Sequence, residues 1–320
     1  MKVYCKNLIL VRLVFISIFI CIISTVGATA PKVQYKFQFN PPNGISYITT
    51  CKSTKVVDNG ATGKQVDVSI SKEQIQITKT ENGYLLVPKT LSVEMTRNGG
   101  KLPAAQEASM QALAKISLPC SLDANGKLTS VNNTDELYQV IDAMLKDQNF
   151  STPDKLAELR ESIKTGVVDN IASDWNNRIV GFTGKTVNAG DIWKSQQEIG
   201  SSFGNVNVTM KTYFGNPVIA NKHNCLKIGF AYVGDKNSIK QLMTKIMETI
   251  SKTIPAGYPA PQVINATISG KGSRIIDPST MLIYSDEVSR TMTMTLRIAG
   301  MGDMPTTFSE SKIYRYDYLD

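Results

Sequence analysis

Residues 291–298 read Thr291-Met292-Thr293-Met294-Thr295-Leu296-Arg297-Ile298. Met292, Met294, Leu296 and Ile298 share one parity, and three threonines and an arginine take the other. Successive side chains of a strand point to opposite faces of its sheet, so this pattern predicts an antiparallel strand with one buried and one wet face. The same period recurs outward from this stretch. Val206, Val208, Met210 and Thr212 alternate with Asn207, Thr209 and Lys211, and Tyr314, Tyr316 and Tyr318 with Arg315 and Asp317. Val66, Val68 and Ile70 alternate with Asp67 and Ser69, and Tyr35, Phe37 and Phe39 with Lys36 and Gln38. Asp58-Asn59-Gly60, Glu81-Asn82-Gly83, Asn98-Gly99-Gly100, Ala124-Asn125-Gly126 and Asp277-Pro278 punctuate them. Asn-Gly pairs accept the positive φ angles that tight hairpin turns require.

Elsewhere the period changes to that of a helix. Leu137, Val140, Ile141, Met144 and Leu145 form one apolar stripe, preceded by Asn133 and Glu136 at capping-box spacing. Thr152-Pro153 opens a second, with Leu156, Leu159, Ile163, Val167 and Ile171 along it. Ile239, Leu242, Met243, Ile246, Met247 and Ile250 make the third, which stops before Pro255. A weaker, alanine-rich helix covers about 103–116. Each stripe needs a covering partner, and the apolar face of the sheet is the available one. The expected fold class is α+β, a mostly antiparallel β-sheet with about three amphipathic helices packed on one face. The helix pair divides the chain into similar-sized halves, 31–150 and 151–320, which fit either two domains or one continuous sheet.

The first residues read as an export signal. Lys2, Lys6 and Arg12 give a basic start without acidic residues, residues 13–26 are mostly apolar, and Gly27, Ala28, Thr29 and Ala30 are small. Val26-Gly27-Ala28 places cleavage after Ala28, leaving a mature β-rich region 29–320. This mostly apolar run is about 14 residues, broken only by Ser17, Ser24 and Thr25, and is short of the ~20 a spanning helix needs. No stable membrane span is therefore expected after cleavage. The expected location is outside the cytoplasm: periplasmic, cell-surface or extracellular.

Loss of that segment lowers the formal net charge from +8 to +5, because only three basic residues leave. No run of five Lys/Arg and no interleaving of basic and aromatic residues occurs, so no nucleic acid is expected as partner. Cys51, Cys120 and Cys225 remain, enough for one intrachain bond in any of three pairings.

Motifs for chemistry fail on context. Gly200-Ser201-Ser202-Phe203-Gly204 matches a nucleophile elbow, but strand patterns lie on both sides and no acid falls between Ser202 and His223. Gly181-Phe182-Thr183-Gly184-Lys185-Thr186 resembles the end of a phosphate loop, with Ile179 where the first glycine belongs and no preceding strand. His223 and Cys225 would need an orienting third group to act as a dyad. Asp123 and Asn125 sit in a turn without further calcium ligands. No catalytic, cofactor-binding or metal residue is assigned, and no cofactor is implied.

Asn125-Gly126-Lys127-Leu128-Thr129-Ser130-Val131, Lys185-Thr186-Val187-Asn188-Ala189-Gly190-Asp191-Ile192-Trp193 and Asp277-Pro278-Ser279-Thr280-Met281-Leu282 together resemble an uncharacterised family of exported bacterial β-rich proteins. Met281 stands where that pattern carries a glycine. The resemblance implies export and a β-rich fold, and no activity. In a bacterial chain the acceptor patterns at Asn132, Asn149, Asn207 and Asn265 would be chance matches.

The expected function is an exported, non-catalytic binding protein of the cell envelope, with a lipid or other apolar small molecule as ligand. Met144, Met243 and Met247 would line its apolar groove with flexible side chains. The alternatives are a structural module that meets an envelope protein, and a hydrolase without a recognisable motif.

Overall fold

The computed structural model describes residues 33–60, 63–145, 153–201, 204–251, 262–298 and 302–319. Its elements follow the alternation in sequence. They are β1 (Gln34–Lys36), β2 (Ile45–Asp58), β3 (Lys64–Thr80), β4 (Gly83–Arg97), β5 (Gly100–Lys101), α1 (Ala104–Ala114), β6 (Cys120–Leu122), β7 (Leu128–Val131), α2 (Asp135–Leu145), α3 (Pro153–Ile179), β8 (Thr186–Asn188), β9 (Ile192–Ser201), β10 (Gly204–Ala220), β11 (His223–Gly234), α4 (Lys236–Ser251), β12 (Gln262–Ile276), β13 (Ile283–Ile298) and β14 (Gly302–Leu319). The chain is α+β and mostly antiparallel sheet, with four helices among the described residues.

One large sheet runs in the order β7-β6-β4-β3-β2-β14-β13-β12-β11-β10-β9, with β5 added beside β4. Successive hairpins build each side, and the last strand, β14, pairs antiparallel with the first long one, β2. That closure makes a single sheet of both sides, and Tyr35–Asp320 forms one compact unit. The turns take the chemistry their residues allow. Asn98 and Gly99 both have positive φ (50° and 77°) in the two-residue link from Arg97 to Gly100. Asn221 and Lys222 do the same (45° and 67°) between Ala220 and His223.

Phe37 and Phe39 depart from the expected strand. β1 ends at Lys36 and pairs only with β8. Beyond it the backbone bonds to turns instead: Phe37 N–H to Lys185 O at 2.9 Å, Gln38 N–H to Pro278 O at 2.9 Å and Asn40 N–H to Thr280 O at 3.3 Å. Both rings are buried all the same, Phe37 against Phe182 and Phe214 and Phe39 against Tyr84 and Trp175.

Residues directly opposite in neighbouring strands share a face. One row crosses nine strands without interruption: Arg97, Asp67, Lys55, Glu310, Arg290, Gly270, Tyr232, Met210 and Ser195. Tyr314 and Tyr316 lie on the same face, two and three positions of that parity further along β14. Ile179 and Phe182, at the end of α3, pack in one cluster with Tyr314 and Tyr316. Ile239, Leu242 and Met243 of α4 pack with Val206, Val208 and Tyr232. Leu137 and Ile141 of α2 pack with Leu118, Ile163 and Val167.

Glycines make room within this face. A Cβ on Gly270 would lie 2.3 Å from the Tyr232 ring, and one on Gly272 would lie 2.5 Å from Phe230. The rings occupy the space a side chain would take and shield the bare strand.

Candidate functional site

A groove of about 630 Å³ opens between β2, β3, β4 and β14 on one side and α1 and α3 on the other. Its floor changes character along each strand. On β2 the lining residues are Tyr47, Thr49, Cys51, Ser53 and Lys55 in turn. On β3, Ile75, Glu73, Ser71 and Ser69 lie opposite Tyr47, Thr49, Cys51 and Ser53. On β14, Tyr318, Tyr316, Tyr314, Lys312 and Glu310 lie opposite the same β2 residues. β2 and β14 thus pass from aromatic groups to hydroxyls or rings and then to charges, while β3 passes from Ile75 to the Glu73 carboxyl and then to hydroxyls. Leu113, Ile116, Leu118, Ile171 and Trp175 add apolar wall.

Two hydroxyls in the floor stand out. Thr49 and Ser53 are 6% and 7% exposed, and neither side-chain oxygen has a hydrogen-bond partner among the described residues. A buried hydroxyl left unpaired costs about 1–3 kcal/mol, so two of them on one strand facing one groove need an explanation. Beside them, burial pushes the Glu73 carboxyl above its ordinary pKa, partly offset by Arg178. Burial also raises the Cys51 thiol, against a hydrogen bond with Tyr314. Burial holds the Tyr316 phenol up at about 12, so it stays protonated.

The polar end of the floor is a ladder of charge. Arg97 bonds to Asp67 at 2.9 Å, and Glu310 receives Arg290 at 2.7 Å and Lys55 at 3.7 Å, with Lys312 at 4.0 Å. Glu310 is only 10% exposed, whereas Lys55, Arg290 and Lys312 are 60%, 50% and 33% exposed. Three cations therefore share one carboxylate.

A buried pair positions α3 over this floor. Arg274 and Asp286, 5% and 1% exposed, meet at 2.9 Å. Arg274 also donates to the carbonyl of Arg178 at 2.8 Å, which satisfies a helix-end acceptor. Arg178 in turn pairs with Asp174, lies 4.7 Å over the Tyr314 ring and donates to the Tyr316 hydroxyl at 3.2 Å. A second groove, about 530 Å³, lies between α3 and the strands β9 to β14; it shares Lys55, Asp174, Arg178, Glu310, Lys312 and Tyr314 with the first.

The residues singled out from sequence fall elsewhere. Met243 is buried at 2% exposure in the α4 cluster, and Met247 is half-buried. Both line a depression of about 750 Å³ beside β12, and not the groove under α3. The side chain of Met144, the cleavage position Ala28 and Ser202 lie outside the described residues. Residues 181–186 leave the end of α3 and enter β8, the reverse of the strand-loop-helix order of a phosphate loop. His223 is exposed and its Nδ1 lies 3.6 Å from Asp277, while burial pushes the Cys225 thiol up to about 11, away from nucleophilic thiolate. Cys51, Cys120 and Cys225 are free thiols. Among the described residues no helix is long and apolar enough to cross a membrane.

Thr49, Ser53, Glu73, Lys55 and Lys312 escaped sequence reasoning. The signal was a failure of alternation. β2 is polar on both parities over most of its length, although turns bound it as they bound any strand. A long strand polar on both faces fits a buried side that meets a wet cavity and not a core.

No family model and no curated protein matches this sequence. Among solved structures, the chain is similar to lipovitellin, seen in a study of its lipid–protein interactions, at 10% identity and a TM-score of 0.45, over 86% of this chain and 25% of that one. The chain thus spans about a quarter of the lipovitellin chain. A Bacteroides fragilis protein described as exported and YmcC-like in fold aligns at 12% identity and a TM-score of 0.24, over 86% of this chain and 97% of that one. An outer membrane channel of Pseudomonas putida F1 aligns at 6% identity and a TM-score of 0.19, over 88% and 97%. These TM-scores are too low for a shared fold, and the likenesses carry no functional argument.

Proposed function

We propose that this chain is an exported binding protein, without catalysis, that holds an apolar or amphipathic small molecule in the groove under α3. Residues 1–28 would be the cleaved signal, with the mature protein in the cell envelope or outside it. The helices α3 and α4 would share one face of the sheet, the face of Tyr314 and Tyr232, and so roof a space that the strands floor.

The observation that carries the reading is the pair of buried, unpartnered hydroxyls, Thr49 and Ser53, in a groove walled on one side by apolar groups. Unpaired polar atoms in a dry core would only destabilise it. In a binding site they are the few placed polar groups that orient a mostly apolar ligand. A second place for an apolar ligand is the depression by β12, favoured by Met243 and Met247 in its lining.

Native mass spectrometry of the mature protein, followed by organic extraction, tests the reading. A bound mass that organic solvent releases as a lipid-like species is expected. A bare polypeptide mass, no extract and no uptake of added long-chain probes would overturn it.

A further inference from the structure

The groove carries information on the chemistry of its ligand. We infer that the groove takes a single-chain amphiphile with an anionic head, oriented with its tail toward Tyr47, Ile75 and Ile77 and its head at Lys55 and Lys312; this rests on the groove being the binding site.

Three adjacent strands carry the orientation. From β3 through β2 to β14, the apolar end is Ile77, Ile75, Tyr47 and Tyr318, and the opposite end is Ser69, Lys55, Lys312 and Glu310. All three run the same way because register locks them: Tyr47 lies opposite Ile75 and Tyr318, and Lys55 opposite Glu310. A molecule laid along β2 and β14 therefore meets one polarity gradient, interrupted on β3 by Glu73 opposite Thr49. A strand advances roughly 3.3 Å per residue, so from Tyr47 to Lys55 the floor extends on the order of 25 Å, enough for a long acyl chain.

Charge sets the head. Lys55, Arg290 and Lys312 crowd one carboxylate, Glu310, leaving that cluster two positive charges in excess. Of the other charged groups nearby, Asp67 with Arg97, Asp174 with Arg178 and Asp286 with Arg274 are paired, and the Glu73 carboxyl, opposite Thr49, lies six residues along β2 from Lys55 and is pushed toward its neutral form by burial. The surplus cations are partly exposed where the two grooves meet, and an anionic oxygen would accept from them as charge-assisted donors. Ser53, beside Lys55 and opposite Lys312, would give its hydroxyl to the same head.

The test uses the mature protein with a pyrene-labelled long-chain carboxylate and the alcohol of the same chain, followed by fluorescence titration. The carboxylate should bind about tenfold tighter or more, with the preference falling at high salt. The double substitution K55Q/K312Q should reduce the carboxylate to the affinity of the alcohol, with thermal unfolding confirming that the variant folds. Equal affinities for the two probes in the unsubstituted protein would overturn the inference while leaving the groove as a binding site. A preference that survives K55Q/K312Q in a folded variant would overturn it too. Failure of both probes to bind would remove the binding-site reading together with the inference.

Discussion

Arg274 Nη1 donates to the carbonyl oxygen of Arg178 at 2.8 Å, so a side chain in the middle of the sheet holds the last turn of α3. The same guanidinium meets Asp286 at 2.9 Å in a site almost closed to solvent. Removing one partner strands the other charge, so Asp286→Leu or Arg274→Met alone should cost about 3–5 kcal/mol in urea unfolding. The double variant should lose much less, because no unpaired charge is left. Equal losses in the double and single variants would assign the effect to packing alone.

Thr49→Val separates function from stability. Valine keeps the shape and removes a buried hydroxyl that has no partner. The apo protein should gain about 1 kcal/mol, while affinity for long-chain ligands falls. Urea unfolding and probe titration read the two effects on one variant. A loss of stability would mean that the hydroxyl is already satisfied.

Glu73 makes part of the stability depend on pH. Burial raises its folded-state pKa above the unfolded value. Between those two values the folded state holds more protons, so stability falls as pH rises through that window and stays low above it. Glu73→Gln should abolish that fall, making the variant more stable than the parent at neutral pH and no more stable well below the ordinary carboxylate pKa. Unfolding curves at a series of pH values check the sign.

Met281 joins sequence and structure at one position. The pattern that the sequence resembles carries glycine there, and the turn bends into the left-handed region, with Met281 at φ +63°. Its side chain is nonetheless 2% exposed in the main core. Met281→Gly should relieve about 1 kcal/mol of backbone strain and lose about 2–5 kcal/mol of packing, for a net loss measured by thermal unfolding. A gain in stability would show that strain outweighs the contacts.

The strands were legible wherever one face is dry. Met292 and Met294 pack toward α4, and the hairpin turn Asn98-Gly99 has the backbone its residues require. Legibility failed where the inner face is wet. Between Thr49 and Lys55 polar groups take both parities, because the inward ones face the groove and the outward ones solvent. The candidate site was hidden for the same reason. Methionine at helical spacing marks a helix that buries a face, as Met243 does, whereas the groove is built by pairing β2 with β14, strands at opposite ends of the sequence. No local pattern records that pairing.

Cys51 provides the most direct test of the central claim, since its half-buried thiol lies in the groove floor between Thr49 and Ser53. Cys120 and Cys225 are fully buried, with thiols pushed up to about 11, so Cys51 should react first with a small thiol reagent. The measurement is the rate of Cys51 labelling, followed by mass spectrometry, with and without a saturating long-chain amphiphile. A ligand under α3 predicts that labelling slows at least several-fold when the amphiphile is bound. An unchanged rate in protein shown by native mass to be loaded would place the ligand elsewhere and contradict the account.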